Sequence, residues 1–165
     1  MIPPIFVDLD GVLVDFDAGV QRLTGKTPAQ FEKQHGPASF WSLLARTPDF
    51  YAKLPAHPDG PRIWRAVREH NPTILSGVPR GDWAAPQKRA WVKKFLGETV
   101  PVITCLSRDK HTYASPGAIL IDDRARLGPA WEAAGGLFIH HIDLERTLFE
   151  IEVAILDAQS RSRSG

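Results

Sequence analysis

The chain has 165 residues, 43% of them hydrophobic and 24% charged, which fits one globular domain large enough to bury a real core. Twenty Lys and Arg against 19 Asp and Glu leave a net charge of +1, which excludes the electrostatic footprint of a protein that grips duplex DNA or an anionic membrane. No apolar run approaches the roughly 20 residues that a bilayer span needs, no leader pattern precedes Ile5-Phe6-Val7, and the single cysteine, Cys105, cannot close an internal disulfide; a cytoplasmic location is expected.

In chain order, residues 5–9 form an apolar run that ends in Asp8-Leu9-Asp10-Gly11. Residues 18–58 carry no strand signal, and a segment of that length in a compact domain is expected to be structured. Thr27-Pro28-Ala29-Gln30 reads as a capping box with proline at the first helical position, closed by Gly36. Phe40, Trp41, Phe50 and Tyr51 follow. This segment is expected to be a small helical cap over the carboxyl ends of the strands, where open α/β sheets bind ligands. Helical patterns at 60–70 and 86–96 alternate with apolar runs at 73–75, 100–106, 118–121 and 137–140. Those runs are continuously apolar, as in strands buried on both faces of a parallel sheet. Within the run 100–106 Cys105 reads as a small buried hydrophobe. Leu144, Leu148, Ile151 and Ile155 then mark an amphipathic C-terminal helix. The expected architecture is α/β, a doubly wound, Rossmann-like and mainly parallel sheet with a helical cap inserted after the first strand. Residues 1–17 and 59–158 form the core, 18–58 the cap and 159–165 a flexible tail.

Two strands each deliver a pair of carboxylates. Asp8 and Asp10 are two residues apart and share a strand face, and Gly11 lets the chain turn away. Asp122-Asp123 end the run Ile119-Leu120-Ile121. Four aspartates at one sheet edge repel one another unless a cation sits among them. All-oxygen ligation suits Mg²⁺ or Mn²⁺ rather than zinc, and Mg²⁺ held by one or two carboxylates calls for a phosphate ligand. Asp15 and Asp17 read as solvated or helix-capping. His140-His141, with no third ligand nearby in sequence, reads as ordinary structure.

Asp8-Leu9-Asp10-Gly11-Val12, Ser76 after an apolar strand, an isolated lysine and Asp122-Asp123 resemble, in order, the four motifs of the haloacid dehalogenase (HAD) superfamily of phosphatases, over about residues 5–140. Three segments are similar to the 5′(3′)-deoxyribonucleotidases within it: residues 8–16, residues 88–97, and Arg108-Asp109-Lys110 leading to Leu120-Ile121-Asp122-Asp123-Arg124. The resemblance implies a Mg²⁺-dependent phosphomonoester hydrolase with Asp8 as nucleophile and Asp10 as general acid and base. It implies that Ser76 and the Gly77 amide bind phosphate, and that Lys110 balances the charge of Asp8 and the phosphate. Asp8, the carbonyl of Asp10 and Asp123 hold the metal, with Asp122 close behind. Lys110 is favoured over Lys88, which reads as a solvated helix-face residue beside Lys93 and Lys94. The implied partner is a small phosphate ester, a nucleoside monophosphate by the narrower match, with a sugar phosphate or other small metabolite as the alternative. Phe16 is the favoured aromatic for stacking a base, and the other aromatics read as the cap's own core. Gly77, where these nucleotidases usually carry a second hydroxyl residue, and the slightly longer spacing from Lys110 to Asp122-Asp123 depart from the family pattern.

Overall fold

The computed structural model describes residues 2–163. Five parallel strands form one sheet: β1 (Ile5–Val7), β2 (Thr73–Gly77), β3 (Val102–Cys105), β4 (Ile119–Asp122) and β5 (Leu137–His140). Their order is β3-β2-β1-β4-β5. The apolar strands bury two faces by alternation. Ile5, Val7, Ile74, Ile119 and Ile121 join one buried cluster, while Phe6, Leu75, Ala118 and Leu120 join another around Trp131. Helices α4 (Gly60–Val67), α5 (Ala84–Phe95) and α7 (Leu144–Arg163) supply the first cluster, and the short α6 (Gly128–Ala133) supplies Trp131 to the second. The sheet is therefore doubly wound, with both faces covered as parallel strands require. No helix among the described residues is long and apolar enough to cross a membrane.

From β1 the chain moves one way to β2 and β3, then returns to place β4 on the other side of β1. The carboxyl ends of β1 and β4 thus flank the point where strand order reverses, the crevice in which such sheets hold ligands. β1 ends at Val7, earlier than the apolar run suggested. The Asp8 amide still donates to Ile121, but the Leu9 carbonyl then accepts the amides of Val12, Leu13 and Val14 and draws the chain into a tight turn. Gly11 sits in that turn at φ +79°, and a Cβ there would run into the Asp123 carboxylate. β3 lies at the sheet edge and is only half-buried, so Cys105 is less enclosed than its apolar run suggested.

Between β1 and β2 the chain forms α1 (Phe16–Thr24), α2 (Pro28–His35) and α3 (Pro37–Arg46). Asp15 caps α1 by accepting the Ala18 amide, as one of its two readings had it. The Thr27–Gln30 capping box of α2 is present, both bonds made. The segment returns as an antiparallel partner of the chain leaving β1, through the Val14–Ala56 bridge and the bonds Asp15 N to Pro55 O and His57 N to Leu13 O. It is tied to α5 by Trp91 Nε1 donating to Leu54 O at 2.9 Å and by the Tyr51 amide donating to Gln87.

At the other terminus α7 continues to Arg163, through residues 159–163, where a flexible tail was expected. Helix-compatible Gln159 and Arg161 carry the helix past Ala158, the last buried residue among those described. Ser164 and Gly165, the rest of that expectation, lie outside the described residues.

Candidate active site

Every charged group singled out in the motifs reaches one edge of the sheet. Asp8 follows β1, Asp122 ends β4, Ser76 lies near the end of β2, and Lys110 comes from the 3₁₀ segment Ser107–Tyr113 after β3. Asp8, Ser76, Lys110 and Asp122 are all buried. Lys110 Nζ lies 2.9 Å from Asp8 Oδ1 and 2.7 Å from Asp122 Oδ2. Burial alone would pull the pKa of this ammonium down, but Asp8 and Asp122 reverse that and hold it well above the ordinary lysine value.

The acidic group is overcrowded even so. Carboxylate oxygens of Asp8, Asp122 and Asp123 lie within 4.8 Å of one another. Burial first, then Asp8 and Asp122, push Asp123 up to about 7. Burial and Asp8 also raise Asp122, despite Lys110. Asp122 uses both oxygens, one on Lys110 and one on the Arg124 amide at 2.9 Å, so it anchors the lysine. Asp10 Oδ1 and Asp123 Oδ1, in contrast, are buried with no hydrogen-bond partner among the described residues. Unsatisfied buried carboxylate oxygens are costly. Asp123, beside Asp8 and next to the space kept open by Gly11, completes with it the kind of donor set that a hard divalent cation takes.

Lys88 corrects one expectation. It is buried at 1% exposure, with Nζ 2.7 Å from Asp10 Oδ2, 2.9 Å from Ser76 Oγ and 2.8 Å from the Gly77 carbonyl, and 4.4 Å above the Tyr51 ring. The neighbouring Lys93 and Lys94 suggested a solvated face, whereas the helical period groups Lys88 with the buried Ala84, Trp91 and Val92. That period was the signal. Gly77 also finds a local reason, since a Cβ there would meet the Ser107 hydroxyl. Ser107 and Tyr51 are site-lining residues that the motifs did not mark.

Beside the carboxylates lies a cavity of about 740 Å³ whose walls include Asp10, Phe16, Trp41, Asp123 and Arg124. A second, of about 460 Å³, is lined by Lys110 together with Arg80, Arg108 and Arg126. Phe16 is half-buried among Phe40, Trp41, Phe50 and Tyr51, with ring centroids 5.8–6.4 Å away. Phe16, Phe40 and Trp41 border the larger cavity; Phe40 is fully buried, so Phe16 and Trp41 are the partly exposed aromatics on its wall.

This architecture is the fold of the HAD-superfamily hydrolases, as the motif order led us to expect. L-2-haloacid dehalogenase from Xanthobacter autotrophicus superposes with a TM-score of 0.55 at 14% identity, over 88% of this chain and 80% of that one. A HAD-superfamily hydrolase from Ehrlichia chaffeensis superposes with a TM-score of 0.52 at 12% identity, over 94% and 99%. In sequence, the chain is 28% identical over 130 residues to a Vibrio phage KVP40 protein provisionally named a 5′(3′)-deoxyribonucleotidase, spanning 76% of this chain and 69% of the phage protein. No family model matches the chain.

Proposed function

We propose that the protein is a Mg²⁺-dependent phosphomonoester hydrolase that works through an aspartyl-phosphate on Asp8, with (deoxy)nucleoside monophosphates as its substrates. The observation that carries this reading is the pairing of two buried lysines with two different aspartates: Lys110 on Asp8, and Lys88 on Asp10 and Ser76. One carboxylate is thereby aimed as a nucleophile and another is held beside it for proton transfer. Fold likeness to hydrolases and the phage relative's name support the same class.

In this mechanism Asp8 attacks phosphorus while the bond to the leaving oxygen breaks, and Asp10 gives that oxygen a proton. Asp10 then takes a proton from the water that attacks the aspartyl-phosphate, releasing inorganic phosphate and restoring Asp8. Asp10 Oδ1, the oxygen not engaged by Lys88, is the one free to carry the proton. Ser76 Oγ accepts from Lys88 and donates to the Gly77 carbonyl at a long 3.4 Å, a bond that the hydroxyl would exchange for one to a phosphoryl oxygen. Asp8, Asp123 and the Asp10 backbone carbonyl would hold Mg²⁺, whose chemistry is to neutralise charge developing on the phosphoryl oxygens. Residues 18–58 act as a cap, bringing Trp41 to the wall of the larger cavity beside Phe16 of the core segment.

The test is a panel of nucleoside monophosphates and sugar phosphates, assayed with Mg²⁺ and after exhaustive chelation. Nucleotides should be preferred, and activity should vanish with the metal; activity undiminished by chelation ends the metal assignment. A panel led by sugar phosphates would transfer the assignment to that class.

Phe16→Ala sharpens the choice. Base stacking on an aromatic is worth about 1–3 kcal/mol by alanine substitution, so this variant should lose up to roughly a hundredfold in kcat/KM for nucleotides. Its effect on a small aryl phosphate should be slight. Equal losses on both substrates would reduce Phe16 to a packing residue.

A further inference from the structure

The end of β5 and the segment returning from α3 meet at a second cluster outside the catalytic carboxylates. His141 Nε2 lies 3.2 Å from Asp59 Oδ2, and His57 Nδ1 lies 3.9 Å from the same oxygen. One ligand atom from each of the three residues falls within 4.8 Å of the others. Ligands about 2.0–2.2 Å from a tetrahedral zinc-class ion stand roughly 3.3–3.6 Å apart, so this spacing nearly matches a bound ion. His141 is buried, and its other ring nitrogen, Nδ1, is 2.8 Å from Thr147 Oγ1, itself fully buried. A histidine fixed through its second nitrogen is the usual support of a metal ligand. The three residues also border the larger cavity, which leaves a coordination position for water or for an anion entering from that side.

We propose that His57, Asp59 and His141 form a binding site for one divalent transition-metal ion of the zinc class, distinct from the carboxylate site at Asp8 and Asp123. Two imidazoles and one carboxylate select for zinc-like ions over Mg²⁺, which prefers oxygen alone. The His57 Nδ1 lone pair accepts the Asp59 amide at 3.1 Å, a contact that the ion would displace. The ion would join the returning segment, through His57 and Asp59, to the sheet, through His141. Its fourth position would open on the substrate cavity.

The test is a Zn²⁺ titration of the whole chain with Mg²⁺ saturating, read by equilibrium dialysis and by the rise in Tm that binding produces by mass action. One Zn²⁺ per chain is expected. Even changes behind a metal's ligands commonly weaken it roughly 10- to 100-fold, so His57→Ala, Asp59→Asn and His141→Ala should each lose at least about tenfold in affinity. Asp123→Asn should bind Zn²⁺ as the wild type does. The proposal is overturned if no Zn²⁺ binds, if the His57→Ala chain binds it undiminished, or if Asp123→Asn abolishes binding. His57 is partly exposed, so its variant decides the matter even if His141→Ala fails to fold. The readout is binding, so it stands or falls apart from any phosphatase activity.

Discussion

Asp8→Asn is expected to leave no measurable phosphatase turnover while the protein keeps its fold. The amide preserves the shape of a buried side chain that contacts Lys110, but it cannot form the aspartyl-phosphate. A change confined to this function should also be seen in a neighbour. Asp123 is pushed up to about 7 by burial first and by Asp8 second, so removing the Asp8 charge should lower its titration. Carboxyl-carbon NMR against pH, without divalent metal, reads that shift directly. A folded Asp8→Asn protein that still hydrolyses phosphate esters would refute the covalent route. An Asp123 titration unmoved by the substitution would mean that the two groups do not share one field.

Lys110→Met is expected to be the most destabilising single change at the site and to remove activity with it. Taking away one partner of a buried ion pair costs about 3–5 kcal/mol, because the remaining charge stays buried and uncompensated. Here two carboxylates are left, Asp8 and Asp122. The folded-state pKa of Lys110 is raised, so its stabilisation is complete below the unfolded value of about 10.4 and is lost only above it. The cost of Lys110→Met should therefore appear throughout the neutral range. The diagnostic is its coupling to Asp8, measured by denaturant unfolding of both single variants and the double. If the cost comes from stranded carboxylates, Asp8→Asn/Lys110→Met should be less destabilised than the two single changes added together. Strictly additive losses would assign the effect to packing alone.

The carboxylate site was legible because each part is local in sequence. Asp8 with Asp10, and Asp122 with Asp123, are contiguous motifs at strand ends, and a parallel sheet brings strand ends to one edge. Lys110 was placed by its position between the third and fourth strands. Lys88 was not, because weight went to its charged neighbours rather than to the helical period that groups it with Trp91 and Val92. The His57, Asp59 and His141 cluster was hidden for a different reason. His140-His141 offered no third ligand, and only the Val14–Ala56 bridge and the reach of β5 bring His57 and Asp59 alongside His141. In the fold, the five strands and the capping box of α2 followed from periodicity and cap chemistry. The short α6 has too few turns for a periodic signal, and the last turns of α7 rest on helix propensity where composition suggested a tail.

Phe40, Phe50 and Leu54 belong to the same buried cluster as Val7, Ile63 and Ile121, so no seam of polar contacts separates the helical segment from the sheet. Swinging that segment open would return several large side chains to water, at about 1.5–3 kcal/mol each. It would also break the bond from Trp91 to Leu54. Traffic of molecules in and out therefore runs through the standing mouths of the two cavities rather than past a hinged lid. Under the proposed function, the pace of the cycle would then be set by bond-breaking or by phosphate departure, with no wait for a large rearrangement.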